Sequence, residues 1–221
     1  MSVIAAGLAA IQSRIAAAET AAGRASGAVT LVAVAKTHPV TAVEEALAAG
    51  QTVFGENRVQ EASAKYPALR PLHPDLRLHL IGPLQSNKTR EAVALFDVIE
   101  TLDRPKLARV LADEIQRAGR CPEILIQVNI GREPQKAGID PDQVEALVTL
   151  TRKEYDLAPA GLMCIPPAGL DPAPFFRHLV TLGNRTGLSR FSMGMSEDFP
   201  VAIACGATHV RVGSAIFGFR G

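Results

Sequence analysis

The sequence carries almost no excess charge: 23 lysines and arginines stand against 22 aspartates and glutamates over 221 residues, a formal net charge of +1. No block of like charge supplies the phosphate-neutralising stripe that nucleic acid binding needs, so nucleic acid is excluded as the main partner. Cysteine is scarce. Cys121, Cys164 and Cys205 are odd in number and form neither a CxxC nor a Cys/His spacing, which argues against a disulfide framework and a zinc site and suits a reducing compartment. The five histidines, His38, His73, His79, His178 and His209, show no pairing at metal-ligand spacing, and no metal is expected. Long apolar runs are missing too. Residues 2–22 lack a basic start and are interrupted by Gln12, Arg14 and Glu19, so they read as neither a signal peptide nor a membrane span, and a cytoplasmic location is expected. The 15 prolines and 18 glycines never collect into a linker, which leaves no internal boundary and predicts one domain over 1–221.

What the chain does have is a 48% hydrophobic content, enough for a substantial core, arranged in short apolar runs that alternate with helical patterns. Ile4, Leu8, Ile11 and Ile15 fall at helical spacing behind a Ser2 cap. Leu31 to Ala35 then run unbroken into Lys36 before Thr37-His-Pro39 ends extended structure. Such a run is a strand buried on both faces, as in a parallel sheet, and it places Lys36 as a buried amine at the carboxyl end. Further strands are predicted at 52–54, 78–81, 97–100, 123–129, 158–163, 189–193 and 208–212. Helices are predicted between them, among them 41–50 behind Thr41, one running to Phe96 behind Ser86, and 141–153 behind Asp140. Eight strands alternating with helices indicate α/β architecture. A single closed (β/α)8 TIM-type barrel is favoured, with an open doubly wound sheet as the alternative.

In a barrel every strand's carboxyl end faces one mouth, which would gather Lys36, Asn57, Ser86-Asn87, Asn129, Met163, Ser192 and residues 211–214. A lysine desolvated there loses its proton readily and can form an imine with a carbonyl compound. The loops after strands seven and eight read Ser192-Met-Gly-Met-Ser196 and Val212-Gly-Ser-Ala-Ile-Phe-Gly218, where a barrel builds its usual phosphate site. Gly194 and Gly213 would let backbone N–H groups approach an anion, and Ser192 and Ser214 would add hydroxyl donors. An imine lysine opposite a phosphate cup, with no P-loop, points to pyridoxal 5′-phosphate (PLP), whose aldehyde and phosphate lie at opposite ends of a ring. Arg211 is the candidate partner of the pyridine nitrogen, which a permanent guanidinium charge would leave unprotonated. Glu56, Glu61, Glu197 and Asp198 are expected to cap helices and form rim ion pairs.

Several stretches, in order, carry a family resemblance: Val32-Ala-Val-Ala-Lys-Thr37, Phe54-Gly-Glu-Asn57 with Val59-Gln-Glu61, His79-Leu-Ile-Gly-Pro-Leu-Gln-Ser-Asn-Lys88, Gly161-Leu-Met163 with Pro166, Ser192-Met-Gly-Met-Ser-Glu-Asp198, and Val210-Arg-Val-Gly-Ser-Ala-Ile-Phe-Gly218. Nearly end to end, the chain resembles the pyridoxal-phosphate homeostasis proteins, also called the proline synthetase co-transcribed family. The resemblance implies a fold-type III PLP barrel like the N-terminal domain of alanine racemase, without that enzyme's extra β-domain. It implies PLP as an imine on Lys36, with Asn57, Ser192, Gly194, Arg211, Gly213 and Ser214 as the remaining cofactor-binding residues. The implied role is carrying or buffering the cofactor as a monomer, with PLP-dependent apo-enzymes as recipients. Arg58 departs from the pattern, since the family usually has tyrosine after Gly-Glu-Asn. Two other functions compete: a PLP-dependent amino-acid racemase, and a Schiff-base aldolase without cofactor, which would be colourless. Alanine racemase takes its second proton-transfer tyrosine from the additional domain of a partner subunit. Here the sequence ends at Gly221 just after the eighth strand, and Tyr66 and Tyr155 fall away from any strand end, so two-base chemistry is not expected.

Overall fold

The apolar runs form eight parallel strands in the computed structural model, which describes residues 2–218. Residue 1 and residues 219–221, the ends of the expected 1–221 domain, lie outside the described residues. The strands are β1 (Thr30–Val34), β2 (Val53–Glu56), β3 (Arg77–Leu80), β4 (Val98–Leu102), β5 (Glu123–Val128), β6 (Gly161–Cys164), β7 (Arg190–Ser192) and β8 (His209–Val212). Each pairs with the next, and β8 returns to β1 through a register running from Thr30↔His209 to Ala33↔Val212. The sheet is therefore a closed barrel and not the open alternative.

The two-residue period of a strand sorts its side chains between two environments. Leu31, Ala33, Phe54, Leu78, Leu80, Ile99, Ile124, Ile126, Leu162, Val210 and Val212 belong to the hydrophobic cluster shared with the helices. The alternate positions, among them Val32, Gly55, His79, Glu100, Gln127, Met163, Ser192 and Arg211, are left to the barrel interior. In β4 the register shifts between Ile99 and Leu102, which returns Leu102 to the outer cluster after Glu100 has turned inward.

The surrounding helices are α1 (Val3–Ala21), α2 (Val40–Ala48), α3 (Val59–Lys65), α4 (Thr89–Leu95), α5 (Pro105–Ala118), α6 (Val144–Glu154), α7 (Ala173–Thr186), α8 (Phe199–Ala204) and the short α9 (Ser214–Phe217). Ser2 caps α1 by accepting from Ala5 N at 3.2 Å, and Leu8, Ile11 and Ile15 form the buried stripe that the spacing predicts. Asp140 accepts from Asp142 N at 2.9 Å and caps a 3₁₀ turn, Pro141–Gln143, which leads into α6. Two expected caps are corrected. Thr41 lies inside α2, because Pro39 in extended conformation (φ −69°, ψ 165°) lets the helix begin at Val40. Ser86 opens a 3₁₀ turn, and α4 starts only at Thr89, whose hydroxyl donates to Ser86 O at 2.9 Å. Among the described residues, no helix is long and apolar enough to cross a membrane.

α1 packs against α2, α8 and α9. Its Gly7 is what permits the last contact: a Cβ there would lie 2.9 Å from Ala215 O and 3.1 Å from Ile216 Cα. The helix that follows β8 is thus seated directly on α1.

Candidate functional site

β1 hands over to the mouth through Ala35, Lys36 and Thr37. Ala35 is buried and bonded to Gly55 O at 3.1 Å, and Lys36 lies beyond the last sheet residue with its side chain exposed. This corrects the expectation of a buried amine. The apolar run ends one residue before the lysine, so its parity aims the side chain inward at a level where the mouth is already open. Thr37 then adopts the left-handed region (φ 65°), which β-branched residues rarely occupy.

The buried lysine is a different one, Lys65 at the end of α3. Its ammonium donates to Glu56 Oε1 (3.0 Å), Glu61 Oε1 (2.6 Å) and the main-chain Ala35 O (2.9 Å). Tyr66 OH donates to the same Glu56 oxygen at 3.2 Å, while Glu56 Oε2 is buried without a hydrogen-bond partner. Glu61 also accepts from Thr37 N. Glu56 and Glu61 therefore act between β2, α3 and the Lys36 segment: the expected ion pairing is present, to the buried Lys65 rather than at the rim, and the expected helix capping is not. Burial pushes the Glu56 carboxyl up to about 7 in spite of Lys65. For Glu61 the burial effect is outweighed by Lys65 and the Thr37 amide, and its carboxyl sits below the ordinary range.

A second polar chain crosses the barrel interior. Arg211 donates from Nη1 to Ser192 Oγ (2.7 Å) and from Nη2 to Cys164 O (2.8 Å). Ser192 Oγ donates to Glu100 Oε2 at 2.5 Å, and His79 Nδ1 stands 2.7 Å from Glu100 Oε1. Burial would raise the Glu100 carboxyl, but the His79 hydrogen bond and charge, with Arg211 and Ser192, hold it down to about 2. It is the anion that balances Arg211. His209, whose ring centroid lies 5.8 Å from that of His79, is lowered to about 4, chiefly by burial, and is neutral at physiological pH. Ser192 is thus engaged beneath the mouth by Glu100 and Arg211, which differs from the hydroxyl role in a phosphate cup assigned to it from sequence.

Gly194, Gly213 and Ser214, the other residues expected at a phosphate cup, lie in the loops that follow β7 and β8. Ser196 Oγ and Ser214 Oγ approach to 3.5 Å across the β7 and β8 loops. Gly194 has φ 92°, and a Cβ there would meet Ala202 Cβ at 2.6 Å and Phe199 Cα at 2.9 Å, so the turn admits only glycine without rearrangement. Gly213 precedes α9, and a Cβ there would lie 3.1 Å from Val34 O, which puts the β8 turn against the end of β1 two residues before Lys36. An amine and a pair of hydroxyls therefore occupy the segments that follow β1, β7 and β8. This donor set fits an aldehyde and a phosphate carried on one small ring.

Two clefts open at the same end of the barrel. One of about 600 Å³ is lined by Lys136, Pro166, Met195, Ser196, Glu197 and Asp198 among others. The second, of about 560 Å³, includes Asn57, Arg58, Lys88 and Arg104. Asn57 is half-buried, and its main chain lies against Gly82, where a Cβ would come within 2.7 Å of Asn57 Cα. Asn129 serves its own loop, donating to Glu133 O (2.8 Å) and accepting from Glu133 N (3.1 Å). Sequence reasoning missed Lys65, Glu100 and the interior role of His79. A usable signal existed for His79, a polar residue between Leu78 and Leu80 at an inward position of β3.

Residues 7–221 match the family model described as the alanine racemase N-terminal domain. The chain is 44% identical to the pyridoxal phosphate homeostasis protein of Vibrio cholerae, over 95% of this chain and 93% of that one. It is 42% identical to the protein of the same name from Pseudomonas aeruginosa, over 100% and 97% of the two chains. Among solved structures, PipY of Synechococcus elongatus with PLP bound superposes with a TM-score of 0.84 at 40% identity, covering 97% of this chain and all (100%) of that one.

Proposed function

The chain belongs to the alanine racemase N-terminal domain family and, within it, to the pyridoxal phosphate homeostasis proteins, and from that membership we propose that it binds PLP in order to carry and buffer it. The observation that carries this reading is the adjacency of the exposed Lys36 amine at the end of β1 and the Gly213–Ser214 turn at the end of β8. Lys36 supplies the amine that holds the aldehyde covalently. Gly194, Gly213 and Ser214, joined by Ser196, offer main-chain N–H and hydroxyl donors to the phosphate. Asn57, just after β2, would contribute to holding the ring. Arg211, held in direction by Ser192 and Cys164 O, would serve the pyridine nitrogen as a permanent cation. When bound, the cofactor contributes a reactive carbonyl and an electron-withdrawing ring. The surrounding residues would bind and orient that group, and among the described residues neither tyrosine lies at a strand's carboxyl end. We take the whole chain, 1–221, as one domain acting as a monomer in the cytoplasm, with PLP-dependent apo-enzymes as recipients.

The test is direct. Purified protein mixed with PLP should develop an imine absorption band, and borohydride reduction with peptide mapping should place the label on Lys36. Lys36→Ala should lose the band while keeping weak phosphate-anchored binding. A label found only on another lysine, or a protein that remains colourless, would overturn the assignment.

A further inference from the structure

Resting on the reading that Lys36 captures the aldehyde of a phosphorylated pyridine, we propose that Glu61 and Lys65 form a positioning clamp that grips the main chain on both sides of Lys36 and aims its amine into the mouth. The two main-chain groups that flank the lysine are both taken by α3. On one side Lys65 Nζ donates to Ala35 O at 2.9 Å, and on the other Glu61 accepts from Thr37 N. The two side chains also bond each other at 2.6 Å, one helical turn apart, so a single ion pair ties the residue before Lys36 to the residue after it.

Thr37 shows what the clamp withstands. A threonine in the left-handed region persists only where its surroundings impose it, and here the Glu61 contact is joined by the threonine hydroxyl, which donates to Lys36 O at 2.6 Å. Released from Glu61, Thr37 would relax toward the extended region that β-branched residues prefer, against the His38 N–Ala35 O bond (3.2 Å), and Lys36 would rotate away from the β8 turn. The clamp has its own foundation. Glu56 accepts another of the Lys65 N–H bonds at 3.0 Å, and Tyr66 supports Glu56, which fixes the buried ammonium from beneath. Glu61 and Lys65 sit on α3, outside the barrel wall, and neither belongs to the cup. Their effect on capture would pass through Lys36. An exposed lysine is not short of access to a ligand; what it lacks is a fixed direction, and a bonded main chain supplies that without burying the amine.

The experiment compares two ligands and one ligand-free signal in wild type, Glu61→Ala, Glu61→Gln and Lys65→Met. PLP reports covalent capture, and pyridoxine 5′-phosphate, which has the ring and phosphate but no aldehyde, reports anchoring alone. In Glu61→Ala and Lys65→Met, capture should slow by roughly ten- to a hundredfold, the scale expected when a reacting group is displaced by about an ångström, while the affinity for pyridoxine 5′-phosphate stays within about twofold. Glu61→Gln keeps an oxygen for Thr37 N and should recover part of the rate. Equal weakening of both ligands would reduce the network to general structural support, and unchanged capture in Glu61→Ala would overturn the clamp outright. Should Lys65→Met fail to fold with two carboxylates left unpaired, Glu61→Ala at its partly exposed site decides. Hydrogen exchange of the Thr37 amide in the ligand-free protein gives an independent reading: slow in wild type, faster in Glu61→Ala. If wild type captures no PLP, the cofactor reading fails, yet an unchanged Thr37 exchange rate would still be needed to dismiss the clamp.

Discussion

Three ionisable side chains share the space behind Lys36, and Lys65, at their centre, needs only one negative charge to balance it. Glu61, partly exposed, supplies that charge with its carboxyl below the ordinary range, so the fully buried Glu56 can keep its proton, and burial raises it from 4.5 to about 7. The consequence for stability has a definite sign. A carboxyl raised in the folded state contributes stability that is complete below its unfolded value and is lost as pH rises through the folded one. Relative to a Glu56→Gln variant, which cannot titrate, wild type should therefore lose about 3 kcal/mol between pH 4.5 and 7.5. Urea denaturation of both proteins across that range measures it, and parallel stability profiles would mean that Glu56 is ionised throughout. The same residues mark how far a sequence can be read at this scale. Lys36 stood out because an apolar run ends at it, although the depth of the mouth, which decides its exposure, is not encoded locally. Lys65 was invisible, because Val-Gln-Glu-Ala-Ser-Ala-Lys reads as an ordinary solvated helix end until β2 brings Glu56 against it.

Among the elements, strands were more legible than helix starts. A strand buried on both faces leaves a continuous apolar signature, and each of the predicted runs is a strand in the barrel. A helix start depends on one or two dihedral angles, which is why Pro39 rather than Thr41 opens α2. The turning inward of Glu100 at the β4 irregularity, and with it the anchor for Arg211, could not be seen without the register of neighbouring strands. Nor could the seat of α9 be anticipated, since α1 reads simply as an amphipathic helix. The close approach at Gly7 gives that contact a test. Gly7→Val would push α9 away from α1, and because α9 begins at Ser214 the displacement reaches the cup. Stability should fall by about 1–3 kcal/mol, as overpacked sites do. PLP affinity should fall as well, although residue 7 lies outside the cup. A variant that loses stability yet binds PLP as tightly as wild type would show that α1 supports the barrel without bracing the cup.

The whole molecule inverts the usual arrangement of polarity: an apolar shell lies between strands and helices, and the barrel axis carries a connected chain of polar groups from His79 to Arg211. That chain holds one fixed cation, Arg211, and neither tyrosine among the described residues belongs to it. Tyr66 is fully buried between β2 and α3, its phenol bonded to Glu56 and its pKa driven up by burial. Tyr155 borders a cleft with Asp113 and Gln116 of α5, on the outer layer. Cys164 is pushed by burial to about 12 and stays a thiol. His38, next to the Lys36 segment, packs its ring 5.1 Å from that of Phe217. A racemase needs acid–base groups on both faces of the bound amino acid, each contributing about 10²–10⁴-fold, and a ring nitrogen facing a permanent cation stabilises a carbanion poorly. The loaded protein is therefore expected to exchange the Cα proton of alanine and other amino acids in deuterated water no faster than free PLP does, as followed by NMR. Exchange well above that background, abolished by Lys36→Ala, would defeat the carrier reading and leave a racemase whose second base enters from outside the described residues.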